Sequence, residues 1–194
     1  MSDNDDKADK GQSYTLSDAN EASLQPNFRE AVPPGDDRTR SVCGHCGFVD
    51  YQNPKIVVGS VALYDDRILL CKRAIEPRKG YWTLPAGYME LGESVEAGAR
   101  REAWEEARAR LVIDRVLAVY SIERIGQVQI MFRATLETPD VSAGPESEEV
   151  GLFAWADIPW EDLAFPTVGY ALRQWRESKD LTDFAVYSNP ADGV

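Results

Sequence analysis

The sequence predicts an α/β protein in which a mixed β-sheet lies between helices, and three observations lead to this class. Apolar runs rich in β-branched residues, which are typical of strands, occur at 55–65, 67–73, 111–123, 127–137 and 150–156. Helical features are found at 95–108 and 166–178, with a short helix expected at 158–163. Because strands and helices do not alternate with a regular βαβ period, a doubly wound parallel sheet is not expected.

Composition divides the chain into three parts. Residues 1–30 are poor in apolar side chains and have no periodicity, which predicts a disordered or loosely packed tail. Residues 31–54 are rich in Pro, Gly and Asp and should form turns. Residues 55–194 contain the predicted strands and helices and form the main domain. With 194 residues, of which 43% are apolar, the chain can bury one core.

Local signals place the elements of the main domain. The strands at 55–65 and 67–73 flank Asp66 and are predicted to pair with each other. The run YWTLPAG contributes a short strand that ends at Pro85. Ser94 is the predicted N-cap of a helix that runs from Val95 to about Arg108.

Charge and cysteine content limit the partners and the compartment. The chain has 21 Lys and Arg against 33 Asp and Glu, a net charge of −12, so its surface repels nucleic acid and anionic membranes. No run approaches the roughly 20 apolar residues that a membrane span needs. The N-terminus has no signal-like apolar stretch, and three cysteines are an odd number for a disulfide framework. The cytoplasm is the expected location.

The predicted helix after Ser94 carries an unusual set of acids. Glu102, Glu105 and Glu106 have spacings that put them on one helix surface, where like charges repel. They also lie late in the helix, where the macrodipole favours cations by about 0.3–1 kcal/mol per charge. A bound hard cation would remove both conflicts, with Mg²⁺ favoured over Mn²⁺ or Ca²⁺. The alternative on spacing alone is a solvated acidic face.

Residues upstream of these acids add a family resemblance. The pattern of Gly87, Glu93, Arg101-Glu102 and Glu105-Glu106 resembles the signature of the Nudix hydrolases. The resemblance implies an α/β/α sandwich with a mixed sheet and an enzyme that hydrolyses pyrophosphate bonds. Where the family pattern continues with glycine and an aliphatic residue, this chain has Arg108 and Ala109, so the end of the helix is the part in doubt.

The resemblance also implies roles for individual residues. Glu102 and Glu106 would be direct Mg²⁺ (or Mn²⁺) ligands, and Glu105 would hold a second ion or a metal-bound water. The backbone carbonyl of Ala86 would join the metal site. The catalytic group would comprise Glu105, Glu146 and Arg101, with Arg101 also paired to Glu93 so that the loop before the helix is fixed. Gly87 suits a tight loop or a close backbone approach.

The family pattern defines the catalytic base and the substrate pocket less closely than it defines the metal ligands. In relatives of this kind the base often comes from a downstream loop, and Glu146 is the first candidate, Glu149 the second. If neither serves, Glu105 is next. Tyr88, Tyr120 and Gln127 are candidates for substrate binding, although each could equally belong to core or surface.

The segment before the main domain narrows the resemblance to one branch of the family. Residues 31–54 are similar to the N-terminal zinc ribbon of hydrolases of FAD and ADP-ribose, but only half of that ribbon is present. Cys43 and Cys46 form one pair, whereas the positions of the second pair hold Glu21 and Leu24. A closed zinc site needs four ligands, so zinc is not expected.

Substrate and partners follow from this branch. The favoured substrates are ADP-ribose and FAD, and the absence of the motif SQPWPFP argues against a dedicated NADH pyrophosphatase. The alternatives are a Nudix domain that senses a nucleotide without turnover and a zinc-ribbon nucleic-acid adaptor, the latter disfavoured by the charge of −12. A homodimer is possible by analogy with relatives.

Overall fold

The structure, a computed structural model, describes residues 27–191. These fall into two compact units, divided after Gln52. The first is a three-stranded antiparallel sheet in the order β1 (Phe28–Ala31), β2 (Arg40–Cys43) and β3 (Val49–Asp50). Residues 28–30, which were assigned to the predicted tail, belong to β1, and the rest of that prediction up to residue 26 lies outside the described residues.

The turn between β2 and β3 contains the cysteine pair. The Cys43 N–H donates to the Phe48 carbonyl at 2.7 Å, and the Gly47 N–H donates to the Cys43 carbonyl at 2.9 Å. Hydrogen bonds to the Cys43 sulfur from the N–H groups of Cys46 and His45 lower the pKa of the Cys43 thiol. The turn therefore favours the thiolate, the form of cysteine that binds metals.

Within the described residues, the second unit contains seven further strands and two α-helices, and each predicted strand and both of the longer predicted helices are found. In chain order the elements are β4 (Lys55–Tyr64), β5 (Arg67–Arg73), β6 (Trp82–Thr83), β7 (Ala86–Tyr88), α1 (Val95–Ala107), β8 (Leu111–Ile122), β9 (Gln127–Leu136), β10 (Ser147–Ala154) and α2 (Pro166–Ser178). The short helix expected at 158–163 is a single 3₁₀ turn, Trp160–Asp162. No helix within residues 27–191 is long and apolar enough to cross a membrane.

These strands form one mixed sheet in the order β10-β5-β4-β9-β8. Strands β4 and β9 are parallel, and the other pairs are antiparallel. The predicted pairing of β4 with β5 is confirmed only next to their turn, at Leu63–Ile68 and Tyr64–Arg67. Beyond the turn the two strands separate, so that β6 pairs with β5 and β7 pairs with β4. The separation of β4 from β5 leaves the sheet open near the end of β7, from which the chain leads to α1.

The alternation of side chains along β5 shows that the sheet has a helix on each face. Ile68 and Leu70 are buried in the cluster that contains Val168, Leu172 and Trp175 of α2. Leu69 and Cys71, which point to the opposite face, pack with Ala103 and Ala107 of α1. The predicted α/β/α sandwich is therefore confirmed.

The chain's own C-terminal segment covers part of the edge strand β8. The Val119 N–H donates to the Tyr187 carbonyl and the Tyr187 N–H donates to the Leu117 carbonyl, both at 2.9 Å. The Asn189 side chain then accepts from the Ser121 N–H and donates to its carbonyl. These contacts satisfy backbone groups that an open strand edge would leave unpaired.

Helix α1 ends as predicted although it lacks the expected glycine. Arg108 adopts the left-handed conformation, with φ 53° and ψ 23°, and its N–H donates to the carbonyls of Ala103 and Trp104. Left-handed backbone is unfavourable for residues with a Cβ. Contacts of the Arg108 guanidinium with the Trp104 ring and carbonyl partly offset this cost.

We expect Arg108→Gly to raise the free energy of unfolding by about 0.5–1 kcal/mol, because glycine adopts the left-handed conformation without strain. Chemical denaturation measures the change. Arg110→Gly is the matched control, since Arg110 also stacks on Trp104 but has no positive φ. Arg110→Gly should lower the free energy of unfolding. A decrease for both variants would show that the stacking contact outweighs the backbone strain.

Candidate active site

The start of α1 sets which side chains face the sheet. Ser94 is the N-cap, as predicted, and its hydroxyl accepts a hydrogen bond from the Ala97 N–H at 3.2 Å. With the helix beginning there, Glu102 and Glu106 lie one turn apart on the inner side and are only 8% and 6% exposed. Glu105 points outward, with a side chain that is 53% exposed.

Arg101 joins α1 to the loop before it. Its guanidinium makes two hydrogen bonds to the Glu93 carboxylate, at 3.1 and 2.8 Å. It also bonds Glu102 at 2.7 Å, Glu105 at 2.9 Å and the Tyr88 carbonyl at 2.9 Å, so all five N–H donors of this side chain have acceptors. Arg101 and the Glu90 N–H together lower the pKa of Glu93 to about 2. The loop is therefore fixed by a charged network.

Gly87 is required by the position of Glu102. A Cβ at residue 87 would lie 2.3 Å from Oε2 of Glu102 and 2.5 Å from its carboxyl carbon. Such distances are far below van der Waals contact. The backbone of β7 therefore approaches this carboxylate so closely that a larger residue at position 87 would displace the Glu102 side chain from the position in which it bonds Arg101.

The two inner carboxylates carry more negative charge than the protein offsets, because Arg101 forms an ion pair with Glu102 but, among the described residues, no ion pair reaches Glu106. Burial and the charge of Glu102 raise the pKa of Glu106 to about 8, against the weaker opposing effects of the Ala86 N–H and Arg73. The Ala86 N–H is 3.3 Å from Oε2 of Glu106. Burial also raises the pKa of Glu102, although Arg101 opposes the shift. A buried pair of acids without a matching cation is unfavourable.

This donor set fits a hard divalent cation. The oxygen atoms of Glu102 and Glu106 are the kind of ligand that Mg²⁺ and Mn²⁺ prefer, and the Ala86 peptide lies against Glu106 through its N–H. Within residues 27–191, no three His, Cys, Asp or Glu side chains are grouped closely enough to enclose one ion. Glu105 instead forms an ion pair with Arg101. The structure thus brings together two of the predicted carboxylate ligands and engages the third elsewhere.

The carboxylates open into a cavity of about 750 Å³. Tyr88 and Gln127, two of the predicted substrate-binding residues, both line it, and the Gln127 amide donates to the Tyr88 hydroxyl at 3.0 Å. Tyr120 does not line the cavity. It is 0% exposed, lies in the core and donates to the Gln174 side chain, so the prediction that it contacts substrate is wrong. Its position on β8 turns it towards α2.

The downstream loop reaches the carboxylates by capping α1. The N–H groups of Ser142 and Gly144 donate to the carbonyls of Ala107 and Glu106, at 3.0 and 2.9 Å. A Cβ at Gly144 would lie 1.6 Å from the Glu105 carbonyl oxygen, so no other residue permits this approach. The loop then continues to Glu146, whose carbonyl accepts from the Ala74 N–H at 2.8 Å.

The two candidate bases occupy different environments. Glu146 lines the cavity, and its charge contributes to the raised pKa values of Glu102 and Glu106. Glu149 lies on β10 opposite Lys72, with its carboxylate 4.0 Å from the Lys72 ammonium, and it does not line the cavity. Of the two, only Glu146 faces the inner carboxylates.

Several other residues that line the cavity were not predicted. Arg73 follows the apolar part of β5, Arg124 lies in the turn between β8 and β9, and Phe165 and Thr167 begin α2. An arginine that ends a buried strand is a signal that could have been used. Nothing in the sequence indicates that the start of α2 returns to this cavity.

Comparisons with known proteins define the family. A family model described as NUDIX domain matches residues 53–175, and one described as Nudix N-terminal matches residues 26–52. A solved NUDIX hydrolase from Nitrosomonas europaea is 43% identical, with a TM-score of 0.78 over 83% of this chain and 92% of that chain. The protein therefore belongs to the Nudix family. It is an enzyme of the pyrophosphohydrolase class, as its sequence predicted.

Two curated relatives have more specific names. An ADP-ribose pyrophosphatase from Methanocaldococcus jannaschii is 33% identical over 119 residues, which are 59% of this chain and 69% of that relative. A protein named NAD-capped RNA hydrolase NudC, from Edwardsiella ictaluri, is 29% identical over 136 residues. That match covers 69% of this chain but only half of the relative.

We expect Glu106→Gln to stabilise the metal-free protein, and the gain should grow with pH. The pKa of Glu106 is about 8 in the folded chain and near 4.5 when unfolded. Since the unfolded state loses this proton first, the free energy of unfolding falls as pH rises from about 4.5 to 8. Glu106→Gln lacks this ionisation, so its melting temperature in EDTA should exceed that of wild type increasingly across the window.

Glu105→Gln serves as the control, because its exposed side chain has little desolvation to relieve. It should show no pH-dependent gain. Added Mg²⁺ should raise the melting temperature of wild type more than that of Glu106→Gln. Parallel pH profiles for wild type and Glu106→Gln in EDTA would contradict the assignment of buried charge to Glu106.

Proposed function

We propose that this enzyme hydrolyses the pyrophosphate bond of a nucleoside diphosphate joined to a second group, with ADP-ribose or FAD favoured and Mg²⁺ or Mn²⁺ as cofactor. The observation that carries the proposal is the buried pair Glu102 and Glu106 at the wall of a cavity of about 750 Å³, where Arg101 forms an ion pair with Glu102 and, among the described residues, no cationic side chain forms one with Glu106. Cavities of this size are typical of sites for small organic ligands. The relative named ADP-ribose pyrophosphatase supports the choice of substrate.

The reaction would divide its tasks among the residues of the cavity. A divalent cation held by Glu102, Glu106 and the Ala86 carbonyl would offset the charge that builds up on the phosphate oxygens. Glu146 would accept a proton from water as its oxygen attacks phosphorus, and cleavage of the P–O–P linkage would give two phosphomonoesters. Arg101 would keep Glu105 and the loop in place through its five hydrogen bonds. Tyr88 and Gln127 would contact the nucleoside or the second group.

A substrate panel tests this function. ADP-ribose, FAD, NADH and a diadenosine polyphosphate would be compared by kcat/KM with Mg²⁺ and with EDTA. We expect hydrolysis only with the metal and the highest kcat/KM for ADP-ribose or FAD. Glu106→Gln should lower the rate by orders of magnitude. Binding of these nucleotides without turnover would instead support a sensor, and a clear preference for NADH would support the alternative of an NADH pyrophosphatase.

Glu146→Gln and Glu149→Gln form a matched pair for the catalytic base. If Glu146 activates water, its amide variant should lower kcat about 10²–10⁴-fold with little change in KM. Glu149→Gln should retain most activity, because its carboxylate faces Lys72. A severe loss in Glu149→Gln with a silent Glu146→Gln would reverse the assignment. If both variants were silent, Glu105 would be the next candidate.

We also propose that the N-terminal unit holds no zinc. The positions expected for a second ligand pair, Glu21 and Leu24, lie outside the described residues and are not cysteines. Replacing both Cys43 and Cys46 with Ser should therefore change the melting temperature little. One zinc per chain after exhaustive dialysis, measured by elemental analysis, would contradict this. The expectations of a cytoplasmic protein, of a nucleotide substrate as partner and of a possible homodimer stand as proposals of the same kind.

A further inference from the structure

The turn that connects β2 to β3 places the two accessible thiols of this chain next to each other. Cys46 is exposed and Cys43 is half-buried, whereas Cys71, the third cysteine of the sequence, is buried in the second unit. The Cys46 side chain is hydrogen-bonded to the Cys43 sulfur. The two sulfur atoms are therefore neighbours before any bond forms between them.

The backbone of this turn is fixed by hydrogen bonds on both sides. The Cys43 N–H donates to the Phe48 carbonyl, and the Gly47 N–H donates to the Cys43 carbonyl, which closes one helical turn. The Gly44 N–H donates to the Asn27 carbonyl at 2.7 Å, and a Cβ at residue 44 would lie 2.8 Å from the Asn27 side-chain nitrogen. Residues three apart on a helical turn face the same side, so this backbone keeps the two thiols together.

Cys43 occupies the place of an N-cap in this turn. The N–H groups of His45 and Cys46 donate to the Cys43 sulfur, as they would to the side chain of a capping residue. Such donors favour the thiolate, which is the nucleophile in thiol–disulfide exchange. The turn thus supplies one sulfur that is prepared to attack and a second sulfur, on Cys46, that can displace what the first has bound.

The composition of the chain leaves this pair without other partners. A closed zinc site needs four ligands, and across residues 27–191 the pair has no third His, Cys, Asp or Glu ligand beside it. The positions expected for a second cysteine pair hold Glu21 and Leu24. Burial raises the pKa of the Cys71 thiol, which keeps that thiol protonated and unreactive. Each cysteine of the turn therefore has the other as its only reaction partner within the chain.

We propose that Cys43 and Cys46 form a dithiol site that is oxidised reversibly by low-molecular-weight disulfides. The Cys43 thiolate attacks one sulfur of the small disulfide, whose S–S bond breaks and whose other half leaves as a thiolate. The Cys46 thiol then gives its proton to water, and its sulfur attacks the Cys43 sulfur and releases the second small thiolate. Two electrons pass from the cysteine sulfurs to the small disulfide, and the two released thiolates take up protons.

The same turn indicates that the disulfide is easily reduced. Hydrogen bonds that stabilise the Cys43 thiolate stabilise the reduced form, and an exposed disulfide is more labile than a buried structural one. A bond between residues 43 and 46 closes a loop of only four residues, so it restricts the unfolded chain little and adds little stability. The pair is thus suited to exchange rather than to holding the N-terminal unit together.

The test follows each thiol at defined ratios of oxidised to reduced glutathione. The 194-residue protein is equilibrated with the two forms, quenched with acid and alkylated, and its peptides are analysed by mass spectrometry. As the oxidised fraction rises, Cys43 and Cys46 should lose alkylation together and appear as one internal disulfide, while Cys71 stays alkylated after unfolding. Dithiothreitol should restore both thiols.

Single variants identify the attacking sulfur. Cys46→Ser should stop at the mixed disulfide and keep one glutathione on Cys43. Cys43→Ser should acquire glutathione at Cys46 about three- to tenfold more slowly, because that thiol lacks the N–H donors of the turn. Cys71→Ala is the matched control and should be oxidised as wild type is. If a serine variant fails to fold, Cys71→Ala decides, since the loss of its two thiols without bound glutathione is the internal disulfide.

Four outcomes would overturn the dithiol site. These are the absence of an internal disulfide at every glutathione ratio, a stable mixed disulfide on wild type, a disulfide that persists in reduced glutathione alone, and one zinc per chain that protects both thiols. Faster reaction of Cys46 than of Cys43 would overturn the assignment of the attacking sulfur. Pyrophosphate hydrolysis is not measured in these experiments, so a failure of the proposed function leaves their result unchanged.

Discussion

The burial of two neighbouring carboxylates, Glu102 and Glu106, is the constraint on which the rest of the site depends. Like charges in a dry environment are unfavourable, and the surrounding structure accommodates them rather than avoiding them. Because Gly87 has no side chain, β7 can lie against the Glu102 carboxylate. The separation of β4 from β5 gives β6 and β7 room to reach this point. The fold is thus less stable than it could be at the place where the chemistry is expected.

Arg101 holds this arrangement in place and offsets the charge of Glu102, with which it forms an ion pair, but forms none with Glu106. The guanidinium bonds Glu93, Glu102, Glu105 and the Tyr88 carbonyl, which fixes the loop, the helix and β7 relative to one another. Glu106 lies outside that network and bears the largest share of the unfavourable burial. Arg101 therefore fixes the positions of the loop, α1 and β7. The remaining negative charge of the site is left to be balanced by a ligand.

The sequence predicted what is local and missed what depends on tertiary packing. Ser94 and the helix after it follow from local signals, the Glu93–Arg101 pair was implied by the family resemblance, and all are found in the structure. The prediction that Tyr120 contacts substrate was wrong because the alternation of side chains along a strand does not show which face of the sheet meets the cavity and which meets α2. Thr167 was missed for a related reason: the return of the chain to the cavity is set by the packing of Leu172 and Trp175 in the core, and both residues lie far along the chain from the signature segment. Such long-range placement leaves no mark on the sequence around Thr167.

The covered edge of β8 limits how copies of this chain can associate. Tyr187 and Asn189 already occupy the backbone groups of Leu117, Val119 and Ser121. A second copy could not extend the sheet along this stretch without first displacing the C-terminal segment. Two copies of the chain therefore cannot form a continuous sheet through this stretch of β8 while the C-terminal segment is in place, and a symmetric pair would have to use another edge or surface.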